Sequence, residues 1–596
     1  MRTAEPLIAA LLLACTLSGA ARAAAAAAPA EGASSATDWP QMPHDHANTR
    51  YAPLDEITTA NVAQLKLHAS WFTGVKRGHE EGPIVAGDTM YLAGPWPHHL
   101  VAFDLTKPGL TIKWRYEPNP KPYAQGVACC DIVNRGAAYS DGRVFINTLD
   151  MQTIAVDAAT GKELWRSHLG DATTGETITM APLVVKGKVL VGNAGSELGA
   201  RGWLTALDAA TGATLWRAWA TGPDRDVLIG PEFKPFYADD RGTDLGVKTW
   251  PVDGWKHGGG TSWGWISYDP QLDLIFYGTA NPAPWNADLR PGDNKWTAGI
   301  FARSPDTGAA RWFYQYAAHD RHDYNGTNEN VLVDLDIGGS RRAVMLHADR
   351  DGYLYVMDRA TGQVLSADPF VRVTSSTGVD LETGRLKMDP AHEPRPGRNV
   401  RDICPASPGG KDWQPSAWSP RTGLLYLPHQ NLCQDMVAVQ ASYISGTPFL
   451  GTEVRIFPGP GGHRGVFGAW DPVKRRMAWS IPERFPVWSG ALVTAGDVAF
   501  YGTMDGWFKA VDARDGRPLW QYKVDSGIVG QPISYRGPDG HQYVAVVSGV
   551  GGWAGKVVSE DLDVRDRTAG KAFAGAMRDL PQYTKKGGTL YVFSLQ

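Results

Sequence analysis

Ala155-Val-Asp-Ala-Ala-Thr-Gly-Lys-Glu-Leu-Trp165 and Ala206-Leu-Asp-Ala-Ala-Thr-Gly-Ala-Thr-Leu-Trp216 are two copies of one pattern, with their tryptophans 51 positions apart. Trp114 lies another 51 positions upstream, and looser copies end at Trp312, Leu365, Trp479 and Trp520. A partial copy runs from Trp418 to Tyr426, which brings the tally to about eight units, at a period typical of propeller blades. The Asp-x-x-Thr-Gly core is a turn: the aspartate accepts from nearby backbone N–H groups, and glycine supplies the positive φ. Alternating segments on either side read as paired strands. Tryptophan then fills the gap to the next unit, because one four-stranded sheet cannot bury its own face. Surface hairpins on a β-sandwich would not repeat this turn in register. The predicted fold is all-β, an eight-bladed β-propeller with tryptophan-docking-type repeats, spanning 38–596 as one domain.

Bulk properties agree with that reading. The 596 residues include 68 glycines, 41 prolines and 23 tryptophans, as suits short strands joined by tight turns. A net charge of -4 lacks the basic footprint that nucleic-acid binding requires. At the N-terminus, Arg2, the apolar run 6–17 and Ala21-Arg22-Ala23 form a signal peptide over 1–23, followed by an Ala-rich linker over 24–37. The apolar run is too short to span a bilayer. Leu13-Ala14-Cys15 only faintly matches a lipoprotein box, so a soluble exported protein is expected. Export places Cys129, Cys130, Cys404 and Cys433 in an oxidising compartment; two disulfides are expected, with three connectivities open.

Several short motifs stand outside the repeat. They are Cys129-Cys130-Asp-Ile-Val-Asn-Arg135-Gly, Gly195-Ser-Glu197-Leu-Gly-Ala-Arg-Gly and Gly259-Gly-Thr-Ser-Trp263-Gly-Trp. Asn281-Pro-Ala-Pro-Trp-Asn, His319-Asp-Arg-His-Asp323-Tyr-Asn325 and Gly549-Val-Gly-Gly-Trp553 follow in that order. Taken singly, each residue has an ordinary reading. An aspartate in a propeller loop usually caps a turn, a tryptophan packs between blades, and an arginine pairs at the surface. His319 and His322 suggest zinc at i, i+3, but no third nitrogen or sulfur ligand accompanies them, so they are read as structural. Together, in this order and spacing, the motifs resemble the methanol/ethanol family of pyrroloquinoline quinone (PQQ)-dependent dehydrogenases, from about Asp38 to the C-terminus.

The resemblance implies a role for each residue. Glu197 and Asn281 would ligate a metal ion, with Asp323 as general base close to the ion. Trp263 would stack on one face of the planar quinone, and a Cys129–Cys130 disulfide ring would cover the other; Cys404 and Cys433 would pair with each other. Arg135, Thr179, Gly195, Arg350 and Asp412 would bind the rim of the cofactor, and Trp488 and Trp553 would line the cavity. Arginine suits carboxylates because its planar fork donates two parallel charge-assisted bonds. The implied reaction is oxidation of a primary alcohol to the aldehyde. A hard cation makes the quinone electrophilic, hydride passes to it, and Asp323 takes the hydroxyl proton.

The metal is the point of departure. Lanthanide-dependent members carry a second aspartate two positions after the base, whereas this chain has Asn325, a candidate further oxygen ligand without charge. Gly-Gly-Lys411-Asp412-Trp413-Gln-Pro resembles the lanthanide branch, since calcium methanol dehydrogenases tend to have Asn at the aspartate. The balance favours Ca²⁺, with a lanthanide ion as the alternative. Ala194 stands where a polar serine is common. No Cys-x-x-Cys-His occurs, so electrons are expected to leave to a soluble periplasmic cytochrome c. The resemblance is compatible with a homodimer. Two other readings are a non-catalytic propeller platform in envelope assembly and a PQQ dehydrogenase for another polyol or sugar; neither accounts for the cysteine pair beside Glu197, Asn281 and Asp323.

Overall fold

The computed structural model describes residues 38–128, 130–559 and 573–596, besides Met1. The signal peptide and linker expected over 1–37 therefore lie outside the described residues. The chain is all-β: among the described residues it has eight sheets of four or five strands, with a two-stranded and a three-stranded sheet in addition. Seven of the eight follow one another along the chain over 84–116, 138–168, 183–219, 266–315, 331–369, 417–483 and 492–523, the last of them joined by Tyr51–Ala52, parallel to Leu492–Thr494. The eighth joins the two ends of the chain: Lys66–Phe72 pairs antiparallel with Thr589–Ser594, beside Gln542–Ser548 and Ile533–Arg536. Among the described residues, no helix is long and apolar enough to cross a membrane.

The repeated turn closes the third strand onto the fourth. Asp157 Oδ1 accepts from the Thr160 N–H and hydroxyl at 2.8 and 2.7 Å, and Asp208 treats Thr211 in the same way. In seven sheets the pairing slips by one residue just past this turn, a bulge that aims the next aromatic sideways. The indoles of Trp114, Trp165, Trp216 and Trp312 then donate to Ala158, Ala209, Pro305 and Arg359 carbonyls in the following sheet, at 3.0–3.2 Å. Each also covers the next turn's glycine. A Cβ on Gly161 would lie 2.6 Å from the Trp114 ring, and one on Gly212 or Gly362 equally close to Trp165 or Trp312. Trp479 and Trp520 repeat the contact toward Ala513 and Leu65. Where Leu365 replaces tryptophan, Trp418, Leu425 and Trp470 fill the seam. Trp71, from the eighth sheet, meets Phe103 of the first edge-on at 5.0 Å. The partial copy at Trp418–Tyr426 differs from the others, because its turn joins the first two strands of its sheet.

One short segment touches all eight sheets in turn. Trp39 bridges Val85, and the Pro40 carbonyl accepts from Tyr139 N. His46 meets the Val184 carbonyl with its ring and the Tyr268 N–H with its own carbonyl. Ala47, Thr49 and Arg50 carbonyls accept from Leu332, Trp418 and Val493. The buried Arg50 guanidinium finally reaches the Pro532 carbonyl at 2.6 Å. A twelve-residue stretch can do this only where the first strands of all eight sheets converge.

Candidate active site

The approach to the first strand of each sheet is where the distinctive residues lie. Arg135 precedes Ala138–Ser140, Thr179 precedes Leu183–Val185, and Trp263 precedes Ile266–Asp269. Asp412 precedes Ala417–Ser419, and Trp488 precedes Leu492–Thr494. Connections between second and third strands supply Gly195 and Glu197, Asn281, Arg350 and Trp553. Convergence of the inner strands therefore brings residues hundreds of positions apart to one cavity. Cys130, Arg135, Thr179, Gly195, Glu197, Trp263, Arg350, Asp412, Trp488 and Trp553 all line it.

Arg350 organises one wall. Its guanidinium donates to Asp412 Oδ1 at 2.7 Å and to Asp323 Oδ2 at 3.1 Å, and lies 5.6 Å from the Trp263 ring. Burial opposes its charge, but Asp412, Asp323 and Glu197 together hold its pKa above the ordinary value. Asp323 is fully buried at φ 69°, a conformation that costs a non-glycine residue about 1 kcal/mol or more and calls for a functional account. The Asp320 carboxylate enforces it by accepting from the N–H groups of His322 and Asp323, both at 3.0 Å. With its oxygen turned toward Arg350, Asn325 accepts from Nε and Nη1 at 3.2 and 3.1 Å. His319 and His322 bind the Gly292 and His392 carbonyls, in keeping with their structural reading.

Arg135 organises the other wall. It donates to Thr179 Oγ1 at 2.8 Å, pairs with Glu80 at 2.9 Å, and sits 5.0 and 4.7 Å from the Trp263 and Trp413 rings. Sequence reasoning missed Glu80, although it precedes Ile84–Ala86 just as Arg135 precedes its own strand. Burial pushes the Glu80 carboxyl up to about 8, and Asp131 and Asp412 add to that shift against the pull of Arg135. Trp413, beside the predicted Asp412, was also missed as a lining residue. Trp488 donates to Gln430 at 2.5 Å and Trp553 to Cys130 Sγ at 3.1 Å, with their rings 6.3 Å apart.

Glu197 sits on the one-turn 3₁₀ helix Ser196–Leu198, flanked by Gly195 and Gly199 at positive φ. Asn281 is fully buried, and its side-chain oxygen has no hydrogen-bond partner among the described residues. An acceptor stranded in this way is costly unless something electropositive meets it. A Cβ on Gly259 would lie 2.6 Å from the Asn281 carbonyl oxygen and 3.1 Å from Ser196 Oγ, so the glycine lets the two segments close together. Carboxylate and amide oxygens are the donors that a hard cation takes. Cys404 and Cys433 form a disulfide as expected, whereas the Cys129–Cys130 pairing rests on Cys129, which lies outside the described residues.

Comparison with known proteins agrees with this geometry. The family described as "PQQ: Glucose/ethanol/alcohol dehydrogenase, beta-propeller domain" matches residues 39–377 and 466–544. The lanthanide-dependent methanol dehydrogenase of Methylacidiphilum fumariolicum (strain SolV) is 50% identical over 564 residues, 94% of this chain and 92% of that protein. Methanol dehydrogenase [cytochrome c] subunit 1 of Methylobacterium organophilum is 41% identical over 574 residues, 94% and 91% of the two chains. A solved europium-containing methanol dehydrogenase superposes with a TM-score of 0.93 at 49% identity, covering 94% of this chain and 98% of the other. This chain belongs to the PQQ dehydrogenase family.

Proposed function

We propose that the chain oxidises a small primary alcohol such as methanol or ethanol to its aldehyde, using PQQ and a hard cation bound in the cavity described above. The observation that carries this reading is the pairing of Arg350 with Asp323 and Asp412 at a cavity also lined by Glu197, whose turn packs against the segment that carries the stranded Asn281 oxygen. When bound, the quinone supplies a two-electron hydride acceptor and the cation a Lewis acid. The protein supplies orientation and proton handling. Glu197, Asn281 and Asp323, with Asn325 as a further candidate, would hold the cation; relatives named as lanthanide enzymes favour a lanthanide, while the uncharged Asn325 favours Ca²⁺. Arg135, Thr179, Gly195 and Asp412 would grip the cofactor rim, and Trp263 one face. A Cys129–Cys130 ring would form the opposite face, while Trp488 and Trp553 narrow the remaining space. Asp323, fixed by Arg350 and by the Asp320 turn, would accept the alcohol's hydroxyl proton.

Wider features belong to the same reading. The tryptophan seams and the axial 39–50 segment support eight blades closed in a ring, as a single domain over 38–596. Residues 1–23 would direct export to the periplasm and 24–37 act as a linker. Electrons would pass to a soluble cytochrome c, in line with a relative named for that acceptor, and a homodimer is the assembly state to test. Reconstitution with PQQ and either Ca²⁺ or La³⁺, followed by dye reduction with primary alcohols, is the deciding experiment. Absence of both bound quinone and turnover under both metals would sink the proposal. The ratio of the two activities identifies the ion.

A further inference from the structure

The sixth sheet carries a hairpin, Leu432–Ala438 paired with Thr452–Pro458, whose tip (439–451) does not end in open solvent. Val439 N–H donates to the Gly451 carbonyl at 2.9 Å and closes the tip into a compact loop. The loop reaches across to connections of the third and fourth sheets. Phe449 N–H donates to the Glu197 carbonyl at 2.7 Å, and Gly446 N–H to the Thr174 carbonyl at 3.3 Å. Tyr443 covers Gly199: a Cβ there would lie 2.8 Å from its ring. Tyr443 also stacks on His257, with centroids 3.6 Å apart and 20° between planes, two residues before the Gly259 cradle. Asn286, at the end of the Asn281 segment, donates its side-chain N–H to the Val439 carbonyl at 2.8 Å and its backbone N–H to the Leu450 carbonyl at 3.2 Å. A single loop therefore grips the Glu197 turn, the approach to Trp263 and the Asn281 segment, although it does not itself line the cavity.

We propose that the 439–451 loop is a clamp that sets the separation of Glu197 and Asn281 and so tunes cation affinity, with Tyr443 and Asn286 as positioning residues. The inference rests on the reading that these two side chains hold the ion. Coupling of this kind is reciprocal: whatever affinity the loop lends the ion, the ion must return as protection of the loop. The test is europium titration of the purified full-length chain with PQQ present, followed by luminescence, under conditions where the metal-free protein is fully folded. Tyr443→Ala is expected to weaken europium binding by about five- to tenfold, the lower end of the usual range of such coupling. In the unaltered protein, hydrogen exchange of Phe449 and its loop neighbours is expected to slow by a similar factor when europium is added. Unchanged affinity in the variant, or exchange in 439–451 indifferent to the ion, overturns the inference while leaving the ligand assignment standing. An unaltered chain that binds neither europium nor calcium overturns the assignment, and this inference with it.

Discussion

Two aspartates of the repeated turn and one glutamate of the cavity behave in opposite ways. On the rim, Asp157 and Asp208 are half-exposed and accept from threonine hydroxyl and backbone N–H groups, which lowers their pKa values. At the centre, burial dominates and pushes Glu80 up to about 8 even with Arg135 at 2.9 Å. The residue class is the same; the surroundings differ. A rim aspartate does one local task, copied from sheet to sheet, and its partners lie within four residues. Glu80 answers instead to Arg135, Asp131 and Asp412, tens to hundreds of positions away, and its state depends on how the connections between sheets converge.

Substitutions can break or sharpen that contrast. Asp323→Asn retains a residue type that tolerates positive φ but removes the base, so turnover in the reconstituted enzyme is expected to fall by about 10³-fold or more with the fold intact. Dye-linked assay and circular dichroism check both halves; retained turnover would remove Asp323 from its role. Trp216→Ala strips a seam of its buried indole and of the bond to Pro305, and should cost about 3 kcal/mol or more in denaturant unfolding. The folded fraction should keep its activity, because the loss is one of packing.

Glu80→Gln tests the centre by pH. The folded chain holds this proton up to about pH 8, whereas an ordinary glutamate releases it near 4.5, so the unfolded chain binds fewer protons between those values. Stability of the cofactor-free protein should therefore decline as pH rises through that window, by on the order of a few kcal/mol. The Glu80→Gln variant should lose this slope, as followed by thermal midpoints across the range. The smallest effect belongs to the rim. Gly161→Ala places a methyl at φ 73° and 2.6 Å from Trp114, and should cost about 1–2 kcal/mol with no change in activity.

Legibility in the sequence followed the same division. The turn core around Asp157, Thr160 and Gly161 was readable because its chemistry is local and recurs; the tryptophan that covers it was readable because it recurs at the same distance. The copy at Trp418 misled on position and on count: its Asp-less turn joins the first two strands of the sheet that also holds the copy ending at Trp479, while the eighth sheet carries no copy at all. Site residues were readable only as an ordered set of motifs, and Glu80, which belongs to none of them, was missed. Its position before the first strand of a sheet, shared with Arg135 and Thr179, would have been the signal.

By itself, then, the sequence determined the strands, the turns between them and the spacing of the tryptophans, because each depends on neighbours a few residues away. Only the tertiary structure decided which side chains face one another. Arg350 meets Asp412, Arg135 meets Glu80, and Trp553 meets Cys130 across 423 positions. The cavity and the charge states within it arise from inner strands converging on one axial segment. Desolvation and pairing there are properties of the assembled tertiary structure, and no local stretch of chain encodes them.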